Sequence, residues 1–198
     1  MAETDSEPRV RLFVALDLPD EVRAGIGRWS ERALRDPALR PVPDRSLHIT
    51  LAFLGHRPEV EVEPIAAALG ASGGPTATVE LQQPSPRPLK GRARVYALPA
   101  RSEGATRLQA GLQERLVGAG LYEPEERSFW PHVTVARVRA EGGGSRRPAV
   151  VERPPMSLPQ DLLQPFDAVR ISLYRSELQP LGARYVPLAQ VELSAGSS

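Results

Sequence analysis

Residues Arg9 to Asp17 alternate, with Val10, Leu12, Val14 and Leu16 on one side and Arg11, Phe13, Ala15 and Asp17 on the other. Side chains two apart share a face of an extended chain, so this segment predicts a half-buried strand. Pro19, Asp20 and Glu21 then open a helix, because proline fits a first turn and carboxylates suit its positive end. Val22, Ile26, Trp29 and Ala33 form its apolar stripe, and Asp36-Pro37 marks its stop. Alternation returns in RSLHITLAFLG, with Leu47, Ile49, Leu51 and Phe53 set against His48, Thr50, Ala52 and Leu54.

Pro58 to Leu69 predicts a second helix, and TATVELQQ and GRARVYALP predict further strands. Ala105, Leu108, Leu112 and Leu116 recur at helical spacing within Glu103 to Val117, which Gly118 and Gly120 close. SFWPHVTVARV, Ser128 to Val138, is strand-like again. Glu141 to Pro155, with its glycine run and three prolines, predicts a loop with a mobile tip. FDAVRISLYRSEL and RYVPLAQVEL predict a final strand pair joined by QPLG. Helices and strands mix without regular alternation, which favours an α+β fold with antiparallel sheet over a doubly wound parallel one. Residues 9–193 read as one domain between flexible tails at 1–8 and 194–198.

A chain of 198 residues that is 41% hydrophobic can fill a core, and its 21 prolines and 16 glycines follow no repeat, so they imply turns rather than a fibrous or disordered chain. No apolar run is long enough for a membrane-spanning helix, and the opening MAETDSEPRV has no signal-peptide pattern, so a cytoplasmic protein without membrane association is expected. The absence of cysteine excludes disulfides, thiolate metal sites and cysteine nucleophiles. With 25 basic and 24 acidic residues the net charge is +1, so any phosphate binding must be local. All the basic residues except Lys90 are arginine, which suits forked contacts to phosphate but also follows from a GC-rich coding sequence.

The chemistry concentrates in two matching tetrads. Two of the three histidines have threonine two places on, His48 with Thr50 and His132 with Thr134. With six threonines in the chain, chance gives such a pair with a probability of about 0.003. Each His and Thr share a strand face and can address one small ligand together. Two imidazoles suit an in-line phosphoryl displacement, one ring taking a proton from the attacking oxygen and the other giving one to the leaving oxygen. A zinc site is disfavoured by the lack of HxxxH or HExxH spacing, and His56 reads as a loop residue beyond Gly55. Ser46 has no GxSxG elbow around it, and GGGS at 142–145 lacks the lysine of a nucleotide-binding loop.

These motifs, with RLFVALDLP, LHITLAFLG, PHVTVARV and SLYRSELQPLGARY in that order, resemble the RNA 2′,3′-cyclic phosphodiesterases, also called the 2′-5′ RNA ligase family, of the 2H phosphoesterase superfamily. The resemblance implies a bilobal fold in which two antiparallel β-sheets face each other across a central cleft, with helices outside and one motif on each lobe. It implies that His48 protonates the departing ribose oxygen and His132 activates water. Thr50 and Thr134 would hold the phosphate, no cofactor or metal would take part, and the product would be a 2′-phosphate. RNA ends bearing 2′,3′-cyclic phosphate are the implied partner. Arg137 matches a basic residue that follows the second motif, although strict alternation puts it on the face opposite His132, so its approach needs a bulge or the strand end. Phe13 and Tyr174 are candidates for flanking a base. The competing readings are a two-histidine enzyme acting on small cyclic nucleotides or 2′-5′ oligonucleotides, and a non-catalytic module that binds RNA ends.

Overall fold

The computed structural model describes residues 8–124, 126–142, 145–179 and 182–194. Its strands are β1 (Arg9–Asp17), β2 (Leu39–Pro41), β3 (His48–Pro58), β4 (Thr78–Leu81), β5 (Ser85–Arg87), β6 (Val95–Arg101), β7 (His132–Val138), β8 (Phe166–Asp167), β9 (Arg170–Gln179) and β10 (Gly182–Glu192). Its helices are α1 (Asp20–Ala33), α2 (Val62–Gly70) and α3 (Glu103–Gly118). The fold is α+β, and the named strands pair antiparallel in the order β10-β9-β1-β3-β7-β6-β4-β8, with β2 added to β7 and β5 to β6.

Two halves make up this sheet, and they meet at the pairing of Ile49 on β3 with Val133 on β7. A seam of one residue pair imposes no common plane on the halves, so each keeps its own twist. The two expected sheets are thus continuous at one point, and both motifs flank that point. Leu12, Val14, Leu16, Ile49, Val133, Val135 and Ile171 of these strands are fully buried, in one core with Ile26 of α1, Ile65 of α2 and Leu112 of α3.

Local chemistry accounts for the helices. Asp20 and Glu21 occupy the first turn of α1 after Pro19, and the Trp29 indole donates to the Ser157 carbonyl at 3.0 Å, tying the helix to the long segment before β8. α3 is capped by Ser102, whose hydroxyl accepts from the Ala105 amide at 3.0 Å, and is followed by Gly120 at φ +70°, a conformation glycine adopts without strain. The second helix starts later than its periodicity predicts. Pro58 still pairs with Arg9 in the sheet and Glu59–Glu61 form a 3₁₀ turn, so α2 proper begins at Val62.

The loop after β7 is anchored by the buried Asp36, whose carboxylate accepts from the amides of Ala38, Glu152 and Arg153. These bonds hold its carboxyl below the usual range. Of the expected tails, Pro8 accepts from the Glu59 amide and Ser194 exchanges backbone bonds with Gly74 and Thr76. Residues 1–7 and 195–198, residues 143 and 144 at the loop tip, and residues 180 and 181 of the QPLG turn lie outside the described residues. Among the described residues no helix is long and apolar enough to cross a membrane.

Candidate active site

Strict alternation fails at the same place in both motifs. On β3, Ala15 faces Thr50 while Val14 faces Ala52, which leaves Leu51 as an extra residue. On β7, Ala97 faces Thr134 while Tyr96 faces Ala136, which leaves Val135 as the extra residue. Each bulge reverses the facing of the residues after it. Phe53, expected on the face opposite His48, therefore joins it, and Arg137 joins His132. His48, Thr50, Phe53, His132, Thr134 and Arg137 line one cleft of about 780 Å³.

The two imidazoles are held alike. His48 Nδ1 donates to the carbonyl of Ser46 at 2.8 Å, and His132 Nδ1 donates to the carbonyl of Trp130 at 2.8 Å. Each carbonyl belongs to the residue two places before its histidine, and a carbonyl can only accept, so the proton of each neutral ring sits on Nδ1 and Nε2 is the reactive atom. The Thr50 hydroxyl lies 3.2 Å from His48 Nε2. Burial pushes His48 down to about 4, with positive charge at His132 and Arg137 adding to the shift. Burial also lowers His132, and Arg87 adds to it. Both rings are consequently neutral near pH 7 while the cleft is empty.

Aromatic contacts distinguish the two. Phe13 stacks on His48 with centroids 4.9 Å apart, and Tyr185 meets His48 edge-on at 5.4 Å. His132 stacks instead on Trp130. Tyr174 does not line the cleft: it stacks on Phe13 at 5.3 Å, and its hydroxyl donates to Asp17 at 3.0 Å. Asp17 is buried, accepts also from the Ser172 hydroxyl at 2.7 Å, and lies 3.6 Å from Arg170. Desolvation raises its carboxyl pKa, and burial together with the Asp17 charge raises the Tyr174 phenol to about 12. Of the two residues expected to flank a base, Phe13 lines the cleft beside His48, and Tyr174 stands behind it. Phe13 is only 4% exposed, whereas Phe53 is 44% exposed and carries the Arg11 guanidinium 5.0 Å from its ring centroid.

Electrostatically the cleft is one-sided. Arg11, Arg40, Arg45, Arg137 and Arg184 line it, and no carboxylate does among the described residues. The near-zero net charge thus conceals a local basic surface. His56 lies within β3 opposite Arg11 rather than in a loop, because the strand continues through Gly55 at φ +72° as far as Pro58; it does not line the cleft.

A family model described as the 2′-5′ RNA ligase superfamily matches residues 18–176, a span that includes both motifs. The chain belongs to that superfamily. An RNA 2′,3′-cyclic phosphodiesterase of Thermus thermophilus is 35% identical over 192 residues, covering 93% of this chain and 90% of the relative. One from Escherichia coli is 29% identical over 189 residues, covering 96% and 99%. Among solved structures, a Thermus thermophilus protein superposes with a TM-score of 0.78 at 32% identity, covering 94% of this chain and all of that one. Escherichia coli LigT complexed with 3′-AMP does so with a TM-score of 0.70 at 25% identity, covering 94% and 99%.

In this member of the 2′-5′ RNA ligase superfamily, the paired tetrads were the legible part of the site. Arg11, Phe53, Arg184 and Tyr185 also line the cleft and fall inside the segments that carry the family resemblance without having been singled out, whereas Arg40 and Arg45 lie outside those segments. A signal for the bulges does exist: HITLAF and HVTVAR both place two apolar residues between the threonine and the next cleft residue, one more than alternation allows.

Proposed function

We propose that this protein hydrolyses 2′,3′-cyclic phosphates at RNA ends, leaving a 2′-phosphate and a free 3′-hydroxyl. The observation that carries the reading is the matched pair of imidazoles, each with Nδ1 committed to a backbone carbonyl and Nε2 left for the substrate. Water attacks the phosphorus while His132 Nε2 takes its proton. The bond from phosphorus to O3′ breaks, and His48, protonated on Nε2, gives its proton to O3′. Thr50 and Thr134 donate to the non-bridging oxygens, and Arg137 offsets the charge gathering there.

His48 is neutral in the empty cleft, so the entering phosphate has a second role. Its negative charge, placed against His48, favours the imidazolium and creates the acid where it is used. The arginine-lined wall, which holds no carboxylate among the described residues, favours a polyanion over a neutral ester, and the exposed Phe53 ring offers a base a stacking surface. A 5′-hydroxyl in the place of water would give a 2′-5′ linkage by the same proton transfers.

The test is product identification from an oligonucleotide ending in a 2′,3′-cyclic phosphate, with and without EDTA. Formation of the 2′-phosphate, unaffected by EDTA, is expected. A 3′-phosphate product would reverse the choice of leaving oxygen, and activity lost in EDTA and restored by zinc would overturn the mechanism. Binding of the cyclic end without turnover would overturn the enzymatic reading.

A further inference from the structure

Trp130 and Arg87 lie outside the cleft lining, yet they form the wall behind His132. The Trp130 and His132 rings are 4.0 Å apart and 16° from parallel, and the Arg87 guanidinium stands 3.9 Å from the Trp130 ring centroid. Two groups so close to one ring cannot occupy the same face, so the order is guanidinium, indole, imidazole. Arg87 is itself fixed, since one guanidinium nitrogen donates to the Ser85 hydroxyl at 3.1 Å and to the Pro86 carbonyl at 3.3 Å.

We infer that Trp130 and Arg87 are positioning residues for His132: the indole sets the plane of the imidazole, the Trp130 carbonyl sets which nitrogen faces the cleft, and Arg87 clamps the indole from behind. The role rests on the reading of His132 as the proton acceptor. His132 is the first residue of β7, where a ring is least confined by strand neighbours, and its ladder partner Pro99 brings no aromatic ring. Pro131 biases Trp130 to an extended backbone, which directs both its carbonyl and its indole at the residue two places on. The first motif solves the same problem differently, since Ser46 offers only a carbonyl and the stacking ring is Phe13 of β1.

Arg87 also biases the charge state. The charged or titratable groups around His132 are Arg87 from β5, His48 from β3, Arg137 on its own strand and the other cleft arginines, with no carboxylate among the described cleft residues. A cation behind the indole opposes an imidazolium and keeps the Nε2 lone pair available, the state in which His132 accepts a proton.

The test combines imidazole NMR titration of the free protein with hydrolysis kinetics on the oligonucleotide cyclic phosphate, for Arg87→Met, Arg87→Lys and Trp130→Leu. Arg87→Met is expected to move the His132 midpoint upward while leaving that of His48 in place, and Arg87→Lys to restore it. Trp130→Leu is expected to lower kcat by roughly 10- to 100-fold with KM changed less than about threefold, the signature of a misplaced group rather than a lost substrate contact. Unmoved His132 resonances in Arg87→Met would overturn the inference. So would a Trp130→Leu effect confined to KM, which would make the indole a substrate contact. The titration does not depend on turnover, so it decides the stack even if the proposed hydrolysis is not found.

Discussion

Phe53 on β3 and Arg137 on β7 hold the same position in their two halves, each three residues beyond a motif threonine and each delivered to the cleft by a bulge at the same step. The two tetrads thus extend to a common pattern of six residues, His-x-Thr-x-x-cleft residue. The last position differs in chemistry, with an exposed aromatic ring on one side and a guanidinium on the other. That difference gives the cleft a polarity, an aromatic ring on one side and a cation on the other, which the matching His-x-Thr pairs alone do not supply.

Arg137→Ala should therefore cost about 1.5 to 3 kcal/mol of transition-state stabilisation, the range for a hydrogen bond to a charged group, appearing mainly in kcat/KM on the cyclic phosphate. Phe53→Ala should instead raise KM for nucleotide substrates. If Arg137→Ala keeps full kcat/KM on the cyclic phosphate, Arg137 does not act on the phosphate.

The histidines and threonines carry larger stakes. His48→Ala and His132→Ala should each reduce turnover by roughly 10² to 10⁴-fold while the circular dichroism spectrum is retained. Thr50→Val and Thr134→Val keep side-chain volume and lose a donor, for about 1.5 to 3 kcal/mol each. Steady-state kinetics on a single oligonucleotide substrate checks all four, and a histidine variant within a few-fold of wild type would be removed from the chemistry.

Much of this was legible in the sequence because the physics behind it is local. Alternation placed β1, β3 and β7, the apolar stripes placed α1 and α3, and the two tetrads identified four cleft residues. A bulge was named only as what Arg137 would require, and neither its place on β7 nor its counterpart on β3 was read, because period-two alternation counts residues on one strand whereas a bulge is a mismatch with its partner. The Phe13–Tyr174–Asp17 and Arg87–Trp130–His132 groupings were hidden for a related reason. Tyr174 lies 157 positions from Asp17, and Arg87 sits on a different strand from His132, so only the sheet order brings them together.

Tyr174→Phe tests the support under His48. The substitution keeps the ring stacked on Phe13 and removes one donor from the buried Asp17 carboxylate, so unfolding stability should fall by about 1 to 3 kcal/mol. Asp17→Asn in the same background should recover part of that loss, because the charge that needs the donors is gone. Chemical denaturation at pH 7 measures both, and additive losses in the double variant would show that the two side chains do not share one network.

Acid stability depends on His48. Its folded value, about 4, lies below the ordinary imidazole value near 6.5, so between those limits the unfolded chain binds a proton that the folded one refuses. Stability should fall as pH drops from about 6.5 toward 4 and then level off, with His132 contributing in the same sense. Asp17, raised by desolvation, acts in the opposite sense as pH falls, so the informative quantity is the difference between wild type and His48→Asn. The variant should show the flatter profile of urea midpoints between about pH 4 and 7. Parallel profiles would mean that His48 titrates normally.

The rate profile asks the same two groups a different question. The proposed chemistry needs His48 protonated and His132 neutral at once, so activity should trace a bell. Both rings are depressed while the cleft is empty, and a bound phosphate anion favours protonation of each. The limbs of kcat, which belong to the complex, should therefore lie at higher pH than those of kcat/KM, which belong to the free enzyme, with apparent constants that are properties of the coupled pair. In the residual activity of His132→Ala only an acid is still required, so the fall toward low pH should vanish; in His48→Ala only a base is required, so the fall toward high pH should vanish. If the limbs respond the other way round, His48 is the base and His132 the acid. A flat profile with chemistry rate-limiting would remove paired imidazole catalysis altogether, whatever the product.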